Sequence, residues 1–233
     1  MSSTDLYAIN VLPVMTTRHC FALHNVAATN NCSNHLVAQP ISCGTLSNHH
    51  CQDLANALPF LACGEESAIH AFSNSLLKHL NENQRAEMAR IAEDELRHAN
   101  WLERLRISLP LPNQHLPNKQ LTRFFKRLLT RHTALHFARV AALDSAVCKL
   151  LAPLLRVDSI LFCQAPEVHS GLVSILRDEA RHVKAARKMA SNFGLSKAKQ
   201  TEVNTNIEAE LWQLLTPVLP GLNRLARQKA LNQ

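Results

Sequence analysis

Asp94-Glu95-Leu96-Arg97-His98 and Asp178-Glu179-Ala180-Arg181-His182 are two copies of one five-residue phrase, identical at four positions and apolar at the fifth. On an α-helix, a residue and the one three places on lie on the same face, stacked a turn apart. Each copy therefore presents a carboxylate and an imidazole that can turn toward a single cation. A lone Glu-x-x-His is common on solvated helix surfaces. Two copies on facing helices form the kernel of a dinuclear site inside a helix bundle.

Working outward, each copy is preceded by a helical segment that offers another carboxylate. Glu65, in Gly64-Glu65-Glu66-Ser67-Ala68-Ile69, lies 30 residues before Glu95, and Asp144, in Leu143-Asp144-Ser145-Ala146-Val147, lies 35 before Glu179. Asp144 is the only acid between Thr133 and Arg156 and stands among Ala141, Ala142, Leu143, Val147, Leu150 and Leu151. A carboxylate in such surroundings is costly unless something charged pairs with it. In the first helix two acids compete. At about 100° per residue, Glu65 lies nearer the Ile69/Phe72/Leu76 stripe. The likeness of Glu66-Ser67-Ala68-Ile69 to Asp144-Ser145-Ala146-Val147 favours Glu66. Glu65 is preferred and the choice stays open.

The periodicity predicts helices around these residues. A first helix begins near Leu54 or Gly64 and runs to Leu80, with Leu58, Leu61, Ala62, Ile69, Phe72, Leu76 and Leu80 at helical spacing. Asn81-Glu82-Asn83 ends it and caps a second, Gln84 to Ile107, whose apolar positions are Met88, Ile91, Ala92, Leu96, Ala99, Leu102 and Leu105. Pro110, Pro112 and Pro117 make a loop. Lys119–Arg131 reads as a short basic amphipathic helix. A third long helix spans Thr133 to Leu155 with a bend at Pro153, and a fourth runs from Pro166 to Gly194, a natural C′ residue. Glu202–Leu215 is a fifth, and Pro217, Pro220 and Gly221 separate it from a tail helix. The expected fold class is all-α, a four-helix bundle with short extra helices. The expected domains are an irregular N-terminal arm (1–52), the bundle (53–195) and a C-terminal helical extension (196–233).

Composition agrees with a folded helical protein. The chain has 233 residues, 46% of them apolar and 18% charged, with only five Gly and one Tyr. Strand-rich folds want more of both residues. No apolar run reaches the roughly 18 residues of a membrane span, and Asn10 and Pro13 interrupt the only leader-like stretch, so a cytoplasmic protein is expected. The seven cysteines show no C-x-x-C and read as reduced and incidental. Residues 1–52 are rich in polar residues and His. A soft metal site from His19, Cys20, His24, Cys32, His35, His49, His50 and Cys51 is the minor reading there, because spacing alone selects no geometry. Net charge is +7. With the basic helix, it suits acidic partners, although a solvated end of the bundle accounts for it as well.

The order carboxylate, Glu-x-x-His, carboxylate, Glu-x-x-His over residues 54–194 resembles the ferritin-like di-iron carboxylate superfamily. With Asp before each Glu, it looks most similar to the p-aminobenzoate N-oxygenase-like branch. The sequence departs from that branch at Asp144, where most members have Glu, and at Ile175, where the N-oxygenases have a further His. The resemblance implies Glu65, Glu95, His98, Asp144, Glu179 and His182 as metal ligands. Asp94 and Asp178 are then the natural acceptors for the outer imidazole N–H groups, with Arg97 and Arg181 neutralising them. It implies two iron ions, or manganese or a mixed manganese/iron pair, together with O2 and an external electron donor, since no flavin- or nicotinamide-binding Gly pattern is present. The implied activity is that of a non-haem di-iron oxygenase that hydroxylates, desaturates or N-oxygenates a small or carrier-protein-tethered substrate, as a monomer or homodimer. Two alternatives stand beside it: a ferritin-like metal-storage protein, and a di-iron tRNA hydroxylase with tRNA as partner.

Overall fold

Local chemistry sets most helix ends in the computed structural model, which describes residues 39–72, 80–114 and 118–227. Helix α1 (Asn48–Phe72) starts after Ser47, whose hydroxyl accepts the His50 N–H at 3.2 Å. Helix α2 (Glu82–Ile107) carries a capping box in which Asn81 and Gln84 exchange side-chain and backbone hydrogen bonds at 2.9 and 3.0 Å. Helix α3 is Asn118–Leu128. Helix α4 (Thr133–Leu151) is capped by His132, and Pro153 turns its continuation into the 3-10 turn Ala152–Leu155. A five-residue helix, α5 (Ile160–Gln164), leads into α6 (Pro166–Asn192), which opens on proline and closes at Gly194 with φ +85°. Ser196 caps α7 (Lys197–Leu215), and α8 (Leu219–Leu225) is the last described helix.

The described residues are all-helical and contain no strand. They lie within one compact unit that begins at Asn34. Helix α4 packs most extensively on α6, and α1 on α2; α2 meets α6, α7 covers α4 and α8 covers α1. The interior is filled by Phe60, Met88, Ile91, Leu102, Phe137, Leu151 and Leu172. Helices α2 and α6 approach closely at Gly171, where any Cβ would fall inside the Trp101 ring. None of the helices among the described residues is long and apolar enough to cross a membrane.

Several boundaries differ from the sequence reading. Helix α1 starts at Asn48, inside the expected arm, and α7 starts at Lys197 rather than Glu202. Both first turns are polar, so apolar periodicity misses them although a serine caps each. Leu96 is 41% exposed, while Asp94, Glu95 and His98 take the buried face of α2. The basic helix ends at Leu128 and buries Leu121, Phe124, Phe125 and Leu128, leaving Lys119, Arg123, Lys126 and Arg127 exposed. Residues 1–38 and Leu76, and the Ile69 and Phe72 side chains, lie outside the description.

Candidate metal centre

Glu65 from α1, Glu95 and His98 from α2, Asp144 from α4, and Glu179 and His182 from α6 converge in the interior, each at most 5% exposed. The helix spacing does what the repeated phrase requires: a turn separates each Glu from its His, and both point inward. Ligand-capable atoms of Glu65, Glu95, His98 and Glu179 lie within 4.8 Å of one another, as do those of Asp144, Glu179 and His182. The Glu66 side chain lies outside the described residues.

Two of the carboxylates face both imidazoles. His98 Nδ1 lies 3.6 Å from Glu95 Oε2 and 3.6 Å from Glu179 Oε1, and His182 Nδ1 lies 3.0 Å from Glu95 Oε1 and 3.9 Å from Glu179 Oε2. Glu65 sits at the His98 end, with Oε2 3.3 Å from Nδ1, while Asp144 groups with His182. The imidazole centroids are 6.1 Å apart. The arrangement is thus nearly two-fold, with one acid at each end and two acids shared in the middle.

The outer nitrogens are held crosswise. His98 Nε2 on α2 meets Asp178 Oδ2 on α6 at 3.2 Å, and His182 Nε2 on α6 meets Asp94 Oδ2 on α2 at 3.2 Å. With each Nε2–H donated to a carboxylate, each Nδ1 lone pair is left to face the interior, the orientation of a metal-binding histidine. Arg97 spans Asp94 Oδ1 at 2.5 Å and Asp178 Oδ2 at 3.2 Å; Arg181 pairs with Asp94 and reaches Asp178 Oδ1 at 3.6 Å. These four charges close the end of the cluster toward solvent.

The interior half has no such balance. Glu65 Oε2, Glu95 Oε1, His98 Nδ1, Asp144 Oδ2 and His182 Nδ1 are buried without a hydrogen bond, although such atoms in native proteins nearly always have one. Four carboxylates face two imidazoles, and the burden appears in their proton affinities. Burial, then neighbouring carboxylates, drives Glu65, Asp144 and Glu179 well above the usual range. Burial opposes ionisation of Glu95 as well, but His182 and His98 outweigh it and pull its pKa down to about 2. Burial would lower His98, yet Glu65 and Glu95 raise it to about 10. Asp178 is lowered despite burial by His98 and Arg97.

A cavity of about 10 Å³ touches Glu65, Glu95, Asp144 and Glu179 and is walled by Phe60, Leu61, Leu143 and Val147. It holds about one water-sized molecule. The half-buried Cys148 feels the nearest of these acids: burial and then Asp144 raise its thiol to about 11. His136 is buried on α4, and neither it nor the sequence candidates His49, His50 and Cys51 belongs to either group of ligand-capable atoms. His19, Cys20, His24, Cys32 and His35 lie outside the described residues. Sequence reasoning anticipated the outer acids; the shared, central position of Glu95 and Glu179 required the geometry. Comparison with protein-family models, curated proteins and solved structures finds no match.

Proposed function

We propose that the cluster binds two divalent first-row metal ions, iron foremost, and that the protein is a non-haem di-iron oxidoreductase on a ferritin-like four-helix bundle of α1, α2, α4 and α6. The observation that carries this reading is the set of buried, unpartnered oxygens and nitrogens from all four helices. Two dications would balance four carboxylates, and mixed oxygen/nitrogen donors without thiolate suit iron, manganese or zinc. Glu65 and His98 would hold one ion, Asp144 and His182 the other, with Glu95 and Glu179 between them. The shorter Asp144 then acts at one end only.

Bound iron would supply electron transfer to O2, which neither carboxylate nor imidazole can provide alone. The chain's own contributions are orientation and exclusion. Asp94 and Asp178 fix both imidazole tautomers, Arg97 and Arg181 hold those acids, and Phe60, Leu61, Leu143 and Val147 keep bulk water away from the carboxylates. An electron-donor protein is part of this reading. The small cavity favours a reactant the size of O2 and supports a second reading, in which Fe(II) is itself the substrate and is oxidised for storage.

The test is O2 consumption by anaerobically iron-loaded protein. The proposal expects uptake above that of free iron, lost in Glu95→Ala; uptake equal to free iron would overturn it. Iron retained far beyond two equivalents per chain would select the storage reading.

A further inference from the structure

Helix α3, whose basic face the metal cluster does not use, closes a second cavity against α4 and α7. The cavity measures about 300 Å³, at the lower end of the range for small-ligand sites. Its floor is apolar: Phe124 and Leu128 come from α3, Leu135 from α4, and Val203 and Ile207 from α7. Phe124 is 1% exposed, and Leu128, Val203 and Ile207 are also buried. No lining residue is shared with the cavity at the metal cluster. On α4, Asp144 follows Arg139 by five residues, which at about 100° per residue turns it about 140° around the helix.

The charges around this floor do not cancel. Arg127 of α3 pairs with Glu210 of α7, and Lys199 pairs with Glu202 at 2.6 Å within α7. Asn206 adds a neutral amide. That leaves Arg139 of α4, which is half-buried and donates one guanidinium N–H to the Arg127 carbonyl. No carboxylate among the described residues lies within ion-pair distance of it. A guanidinium carries several N–H donors, so one bond to a carbonyl orients the group and leaves donors for a ligand.

We propose that this cavity binds a small amphipathic anion, a monocarboxylate with an alkyl or aryl body. The carboxylate meets the Arg139 guanidinium through two parallel hydrogen bonds, a geometry that a planar fork offers and an ammonium does not. The body lies on Phe124, Leu128, Val203 and Ile207, where it leaves water. The two halves of the site recognise different things. The floor alone would accept a neutral molecule of the same shape, and the charge alone would accept any small anion. Together they select a ligand that carries both. Because α3, α4 and α7 each contribute, the bound ligand ties the three helices together. The proposal involves no metal and is independent of the metal reading.

The experiment titrates the full chain with sodium octanoate by isothermal calorimetry, and in parallel with 1-octanol and with acetate. Octanoate should bind saturably, one per chain. Octanol and acetate each lack half of the recognition and should bind at least about tenfold more weakly. Arg139→Gln should lower octanoate to the affinity of octanol and leave metal content unchanged. An alkyl carboxylate of the same length with a diazirine at its tail, photolysed on the wild type, should label peptides of α3, α4 or α7. That map decides the placement even if the variant folds poorly. Absence of saturable octanoate binding, octanol binding as tightly as octanoate, unchanged affinity in folded Arg139→Gln, or label confined to other segments would overturn the proposal.

Discussion

Asp53 and Glu65 are carried by the same helix, and both are buried, at 3% and 5% exposure. The fold treats them oppositely. Arg224 of α8 grips Asp53 with two hydrogen bonds, at 2.9 Å from Nε and 2.6 Å from Nη2, and His49 Nε2 stands 3.8 Å away. Glu65 keeps an oxygen without a hydrogen bond, beside Glu95 and His98. This chain can bring an arginine from a distant helix to a buried acid. Where the cluster leaves such acids unmatched, a cation from outside the polypeptide is the natural complement.

The contrast is broken most completely by removing a shared acid. Glu95→Ala should abolish stoichiometric metal uptake at both positions, as read by elemental analysis of anaerobically loaded protein. Next in size, Asp94→Ala or Asp178→Ala frees one imidazole from its outer carboxylate and should weaken metal affinity by about 10- to 100-fold, measured by competition with a chelator.

Stability should move in the opposite direction when no metal is present. Asp144→Asn removes a buried carboxyl that resists ionisation and should raise the melting temperature of metal-free protein at pH 8 by about 3 °C, roughly 1 kcal/mol. At pH 5 the gain should largely vanish. The pH dependence of metal-free wild type has a defined sign. Glu65, Asp144 and Glu179 retain protons that the unfolded chain releases above about pH 4.5, so folding is increasingly penalised as pH rises. His98 adds stability that is whole below about pH 6.5 and is lost as pH rises through about 10. The melting temperature of metal-free protein should therefore fall between about pH 6.5 and 10, and bound metal, which replaces these protons, should flatten the slope. Glu95, with its pKa lowered to about 2, adds the opposite dependence only in acid, below about pH 4.5.

The smallest effect on the cluster is expected from the matched acid. Arg224→Ala should lower the melting temperature while leaving metal content unchanged, as thermal melts and elemental analysis on one preparation would show. A loss of metal there would mean that the two buried acids of α1 are energetically linked.

The sequence was most legible where side-chain chemistry is local. The doubled phrase placed Glu95, His98, Glu179 and His182 on inward faces, and Asn81, Pro166 and Gly194 marked helix ends through their own backbone requirements. It was least legible where long-range packing decides. Leu96 occupies a periodic apolar position yet faces solvent, because the inner face of α2 is spent on Asp94, Glu95 and His98. Periodicity assumes that buried means apolar, and a buried cluster of acids and imidazoles breaks that assumption. The crosswise holding of the two histidines by Asp94 and Asp178 was within reach of the doubled phrase, whereas the Asp53–Arg224 pair depends on a contact that spacing alone does not reveal.

The most direct measurement is an anaerobic titration of metal-free protein with Fe(II), followed by Mössbauer spectroscopy. The account predicts saturation at two equivalents per chain, with both sites lost in Glu95→Ala. Absence of saturable binding, or binding that survives Glu95→Ala unchanged, would contradict it.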